Sequence, residues 1–112
     1  VTLIDEPRVD NLLDLDGLAA QMCALDMVVS TSNSTVHLAG ALGIPTLVLL
    51  HRDIGLPWYW AYDGEQVPWY PQTLLLRCQQ RGQWDAVIAE VAAALRAQVV
   101  AQAATPVDTA QR

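Results

Sequence analysis

The chain has 112 residues, of which 53% are hydrophobic, enough for the core of one small domain and too many for a disordered segment. A formal net charge of −6 disfavours a nucleic-acid surface or an anionic membrane as partner. All six basic residues are arginine, which excludes Schiff-base chemistry and a lysine–phosphate contact within this segment.

Val1–Ile4 reads as a short strand, and Asp5–Asp14 as a connector carrying Pro7. Asp16 is placed as a helix N-cap, with Leu18, Ala19, Met22 and Leu25 marking the inner face of a short helix. Asp14 and Asp16 also form a carboxylate pair of the kind used in acid–base catalysis. Acids at a helix start are favoured by the helix dipole, and that reading is preferred. Met27–Ser30 is a short, apolar, β-branched step that predicts a buried strand. Thr31–Thr35 then sets five small hydrogen-bonding residues in a row. Val36–Leu42 has helical apolar spacing, Gly43 sits where a left-handed cap is wanted, and Pro45 forbids continuation. Thr46–Leu50 reads as a second buried strand.

Alternating strands and helices predict an α/β fold, a Rossmann-like parallel sheet with flanking helices. Ligands of such sheets bind at the carboxyl ends of strands, beside helix N-termini. The Thr31–Thr35 loop falls at that place. The first helical N–H groups there lack intrahelical partners, and the dipole favours an anion. Capping of the helix by Ser32 or Asn33 is the structural alternative, compatible with ligand binding because both use the same donors. Asn33-Ser34-Thr35 also matches a glycosylation acceptor, without consequence in a cytoplasmic chain. His37 lies about one turn into the helix. It is either a satisfied, buried side chain or a functional group beside the polar loop.

His51–Gln66 reads as a loop punctuated by Gly55, Pro57, Asp63 and Gly64. Trp58, Tyr59, Trp60 and Tyr62 make it a lid or wall beside a ligand, or an aromatic clamp onto the domain; at least half are assigned to packing. Arg52 is read as a phosphate partner or a solvated side chain, and the solvated reading is preferred. Pro68-Trp69-Tyr70-Pro71 is a rigid corner before Thr73–Leu76, the last strand, and Arg77 at its carboxyl end faces the site or solvent. Trp84 to about Val100 is a helix, with Val87, Val91, Leu95 and Val99 repeating at four. Ala101–Arg112 is expected to be a frayed tail. Cys23, on the inner side of the first helix, and Cys78 have no metal or redox spacing and are expected as two reduced thiols. There is no signal-peptide pattern and no apolar run of membrane-spanning length, so a cytoplasmic location is expected. No Gly-x-Gly-x-x-Gly or phosphate-loop motif is present, and two histidines without clustered ligands predict neither a metal nor a cofactor.

SNSTVHLAGALGIPTLVLL, followed in order by Trp58-Tyr59-Trp60, Pro68-Trp69-Tyr70-Pro71, Leu76-Arg77 and Gly82-Gln83-Trp84-Asp85, resembles the C-terminal part of bacterial glycosyltransferases joined to tetratricopeptide repeats. These are similar to the family 9 heptosyltransferases, and more distantly to O-linked N-acetylglucosamine transferase. The resemblance runs from roughly Asp16 to Leu95. It implies part of the C-terminal half of a GT-B fold, spanning residues 1–100, with tetratricopeptide repeats upstream in the parent chain. It also implies transfer of a sugar from a nucleotide-sugar donor to a hydroxyl acceptor on a glycan or protein. Ser32, Asn33, Ser34 and Thr35 fall on the diphosphate-binding loop, and His37 on the histidine beside the diphosphate. The acceptor's general base is expected in the other half. Many relatives carry Asp-Thr where this chain has Ser32-Asn33, so one carboxylate is gone. That departure keeps open a non-catalytic domain of a repeat-containing interaction protein. A different nucleotide-binding α/β protein is a third reading.

Overall fold

A computed structural model describes residues 1–52, 57–61 and 64–105. The elements are α1 (Leu15–Cys23), β1 (Val28–Thr31), α2 (Ser34–Ala41), β2 (Thr46–Leu50), a 3-10 turn (Trp58–Trp60), β3 (Gln66–Val67), β4 (Tyr70–Arg77) and α3 (Asp85–Ala104). The four strands form one sheet in the order β1-β2-β4-β3. β1, β2 and β4 are parallel, as expected for the α/β class, and β3 adds antiparallel to β4. The sheet is therefore mixed. The short hairpin through Pro68-Trp69 accounts for both differences from the sequence reading: β3 lies in what reads as loop, and β4 starts at Tyr70 rather than Thr73.

β2 lies between parallel neighbours and is apolar on both faces, as central parallel strands require. Its side chains alternate. Val48 and Leu50 join Val36 of α2, Trp60, Val67 and Leu75 on one face. Leu47 joins Leu76, Cys78, Val87 and Val91 on the other, beneath α3. A third cluster of Met22, Val28, Ala39 and Ile44 ties α1 to α2.

Helix ends follow local chemistry. Asp14, not Asp16, caps α1: its Oδ1 accepts the Gly17 N–H at 2.8 Å, and Asp16 sits in the first turn. The Asp14 carboxylate is thus engaged in capping. α2 closes as its sequence requires. Gly43 adopts φ 72°, its N–H donates to the Gly40 carbonyl, and the Ile44 N–H donates to the Ala39 carbonyl. This is the paired bond pattern of a glycine-terminated helix.

Three expectations are corrected. Val1–Ile4 forms no strand and is exposed, because among the described residues no strand lies beside it to pair with. Cys23 is exposed at the end of α1 and Leu25 lies beyond it; Cys78 is buried, and both thiols are free. α3 continues through Ala101–Ala104, residues expected in the tail, since alanine sustains a helix without tertiary support. Positions 106–112 of the tail, together with Asp53, Gly55, Tyr62 and Asp63, lie outside the described residues. α3 is also, by length and composition, long and apolar enough to cross a membrane, with a mean hydropathy of 1.4. Glu90 and Arg96 interrupt the run in sequence, which is why it does not read as an unbroken apolar stretch. Val87 and Val91 pack under the sheet, whereas Ile88, Val99 and Val100 are exposed.

Candidate functional site

β1 ends at Thr31, and the chain turns into α2 through Ser32 and Asn33, at the carboxyl edge of the parallel strands. Asn33 is the N-cap, with an extended backbone (φ −160°). Its Oδ1 accepts the Thr35 N–H at 2.9 Å, and its Nδ2 donates to Ser30 Oγ at 2.9 Å. The loop is thereby stapled to the strand it leaves. Thr31, Ser32, Asn33 and Ser34 are exposed, and Thr35 is half-buried.

Ser32 has a partner that its position in the sequence does not suggest. The Trp60 indole Nε1–H donates to Ser32 Oγ at 2.8 Å. An indole nitrogen only donates, so the serine oxygen accepts in this bond and its own proton remains available for another acceptor. Asn33 retains a second amide hydrogen in the same way. The loop therefore presents these side-chain donors to whatever lies in front of it, while the Thr35 N–H of the first helical turn is already taken by the cap.

His37 is half-buried and enclosed by aromatic rings. It stacks on Trp60 with centroids 4.9 Å apart and planes 15° apart, and meets the edge of Tyr59 at 5.0 Å. Its Nδ1 is 3.0 Å from the Tyr70 hydroxyl. Trp60 is fully buried, so the packing role expected of half the aromatic loop holds for this ring. Arg77 resolves its two sequence alternatives by turning toward the aromatic turn. Its Nη2 donates to the Trp60 carbonyl at 2.6 Å and its Nε to the Gly64 carbonyl at 3.1 Å. The end of β4 thus holds the turn that holds Ser32 and His37. Ala61 closes that turn at φ 56°, a left-handed conformation costing about 1–3 kcal/mol for a residue with a Cβ. Burial of Trp60 and the Arg77 bonds offset this cost.

The fold brings together Ser32, Asn33, Ser34, Thr35 and His37 on one loop and its helix, as their sequence spacing requires. The sequence offers Trp60 and Arg77 to the site only as one of two alternatives, and Tyr70 not at all. They reach it across 33 residues for Tyr70–His37 and 28 for Trp60–Ser32, separations that leave no local pattern. A cleft away from the loop is lined by residues that include Arg52, Glu65, Arg77, Gln79 and Glu90. It has two guanidinium and two carboxylate side chains in its lining and none of the loop residues. Arg52 is exposed and donates to Gln79 at 3.2 Å. Among the described residues, no three His, Cys, Asp or Glu side chains are grouped to hold a metal.

These features define an α/β domain with a donor-rich loop at the carboxyl edge of its sheet. The chain is similar to Protein FlbA of Caulobacter vibrioides, with 38% identity over 89 residues. The matched region covers 79% of this chain and 14% of that protein, so this chain spans a small part of its relative's length. No protein-family model matches the chain, and no solved structure matches it.

Proposed function

We propose that this domain is the nucleotide-sugar-binding part of a glycosyltransferase, acting with a second half that supplies the general base. The observation that carries this reading is the Trp60–Ser32 hydrogen bond. It leaves the Ser32 proton to donate outward, beside Asn33 and the first turn of α2. An array of neutral donors at a helix start suits a diphosphate held by uncharged groups and a helix dipole. Ser32, Asn33, Ser34 and Thr35 bind the diphosphate, and His37 stabilises its growing charge as the sugar departs. The resemblance of SNSTVHLAGALGIP to transferase loops supports the same roles.

The enclosure of His37 by Tyr59, Trp60 and Tyr70 favours a second reading. In it the histidine is a packing residue, and the domain serves a tetratricopeptide-repeat interaction protein that has lost the chemistry.

Calorimetric titration with nucleoside diphosphates separates the two. On the transferase reading Asn33→Ala weakens binding about 5- to 30-fold, the scale of a charge-assisted hydrogen bond. His37→Ala lowers turnover of the full-length protein more than ground-state affinity. Unchanged affinity per folded molecule with a lowered melting temperature favours the non-catalytic reading.

A further inference from the structure

Two tryptophans stand out of the surface beside the His37 cluster. Trp58 is 74% exposed and Trp69 47% exposed, and their rings meet at 5.9 Å with planes 67° apart. Burying rings of this size is among the larger apolar gains open to a fold, yet these two are left in water. Both are rigidly mounted. Trp58 follows Pro57 at the start of the 3-10 turn, and Trp69 sits between Pro68 and Tyr70-Pro71 in the β3–β4 turn. Fixed φ angles at these prolines reduce the entropy that binding would remove.

The pair is continuous with the site. Trp58 contacts Tyr59 at 5.9 Å, and Tyr59 contacts His37. Trp69 precedes Tyr70, whose hydroxyl meets His37 Nδ1.

We propose that Trp58 and Trp69 form a platform for the apolar C–H face of a neutral saccharide, the acceptor of the transfer. The assignment rests on the transferase reading of the His37 cluster. Three features select this ligand class. Pro57–Ala61 and Gln66–Gln72 contain no charged residue, so neither turn brings an ion-pair partner of its own to a cation or an anion. The inclined planes cannot sandwich a flat base, which needs parallel rings. Each ring presents an electron-rich face to positively polarised C–H groups, while its indole N–H can donate to a hydroxyl.

The test is saturation-transfer NMR on the chain with N,N′-diacetylchitobiose and lactose, alongside choline and uridine. The expected result is transfer to the ring C–H protons of at least one disaccharide. Trp58→Ala should weaken that binding at least tenfold without lowering the melting temperature, because the ring is mostly exposed. Trp69→Phe, which keeps an aromatic in the turn, should weaken it less. No disaccharide signal, a signal only with choline or uridine, or binding that survives both substitutions overturns the proposal. Titration with uridine and guanosine diphosphates in parallel separates the two readings. Nucleotide binding without saccharide binding removes the platform alone. Saccharide binding through the tryptophans without nucleotide binding removes the donor-site reading and the acceptor role with it, and upholds the platform as a saccharide site.

Discussion

Gly40→Ala probes the link between α2 and the aromatic cluster. Gly40 is buried next to Tyr70, and a Cβ there would stand 2.6 Å from Tyr70 Cγ, 2.7 Å from Cδ1 and 3.0 Å from Cδ2. Comfortable carbon contacts begin near 3.5 Å, so the ring must retreat by about 1 Å. A phenol ring cannot fold away, and its hydroxyl is engaged with His37 at 3.0 Å. Retreat breaks that bond, a loss of about 1 kcal/mol. Overpacking adds about 1–3 kcal/mol. Alanine's better helix propensity returns about 1 kcal/mol. The expected net destabilisation is about 1–3 kcal/mol, a fall in melting temperature of roughly 5–20 °C for a domain of this size. Thermal melts of the two chains at equal concentration measure it. Imidazole nitrogen NMR of His37 should shift in Gly40→Ala. In the double variant Gly40→Ala/Tyr70→Leu the penalties should be less than additive, since the clash has been removed. A melting temperature equal to or above that of the unsubstituted chain, with His37 unmoved, would refute the close approach of Gly40 and Tyr70.

Asn33→Ala removes the α2 cap and should cost about 1 kcal/mol in a denaturant melt, whereas Asn33→Asp should keep most of it; equal losses would show that the cap is not the stabilising contact. Iodoacetamide should label Cys23 rapidly and Cys78 only on unfolding, because burial pushes the Cys78 thiol up and keeps it protonated; equal labelling rates by mass spectrometry would contradict the packing of Cys78 beneath α3. β1 is an uncharged edge strand with Val29 40% exposed, and the chain is expected to self-associate through that edge. Val29→Lys should reduce the association in sedimentation velocity, and a monomeric unsubstituted chain with a sharply cooperative melt would count against it.

The sequence by itself determined the features that depend on residues close along the chain. The Met27–Ser30 and Thr46–Leu50 strands, the polar turn between them and the Gly43 stop are set by apolar period, capping chemistry and the left-handed freedom of glycine. Each involves neighbours within a few positions, so each leaves a readable spacing. The gathering of Ser32 to His37 at a helix start is legible for the same reason. Tertiary structure decided the rest. Val1–Ile4 has strand composition, but a strand exists only where another lends hydrogen bonds, and among the described residues none lies beside it. β3 is too short to show a period and forms only because β4 is there to pair with it. Whether Arg77 meets solvent or the Trp60 carbonyl depends on where the aromatic turn lands, and so does the enclosure of His37 by Tyr70 and Trp60. Those contacts join positions 17 to 33 residues apart, and only the folded sheet, with β4 laid beside β2, brings them together.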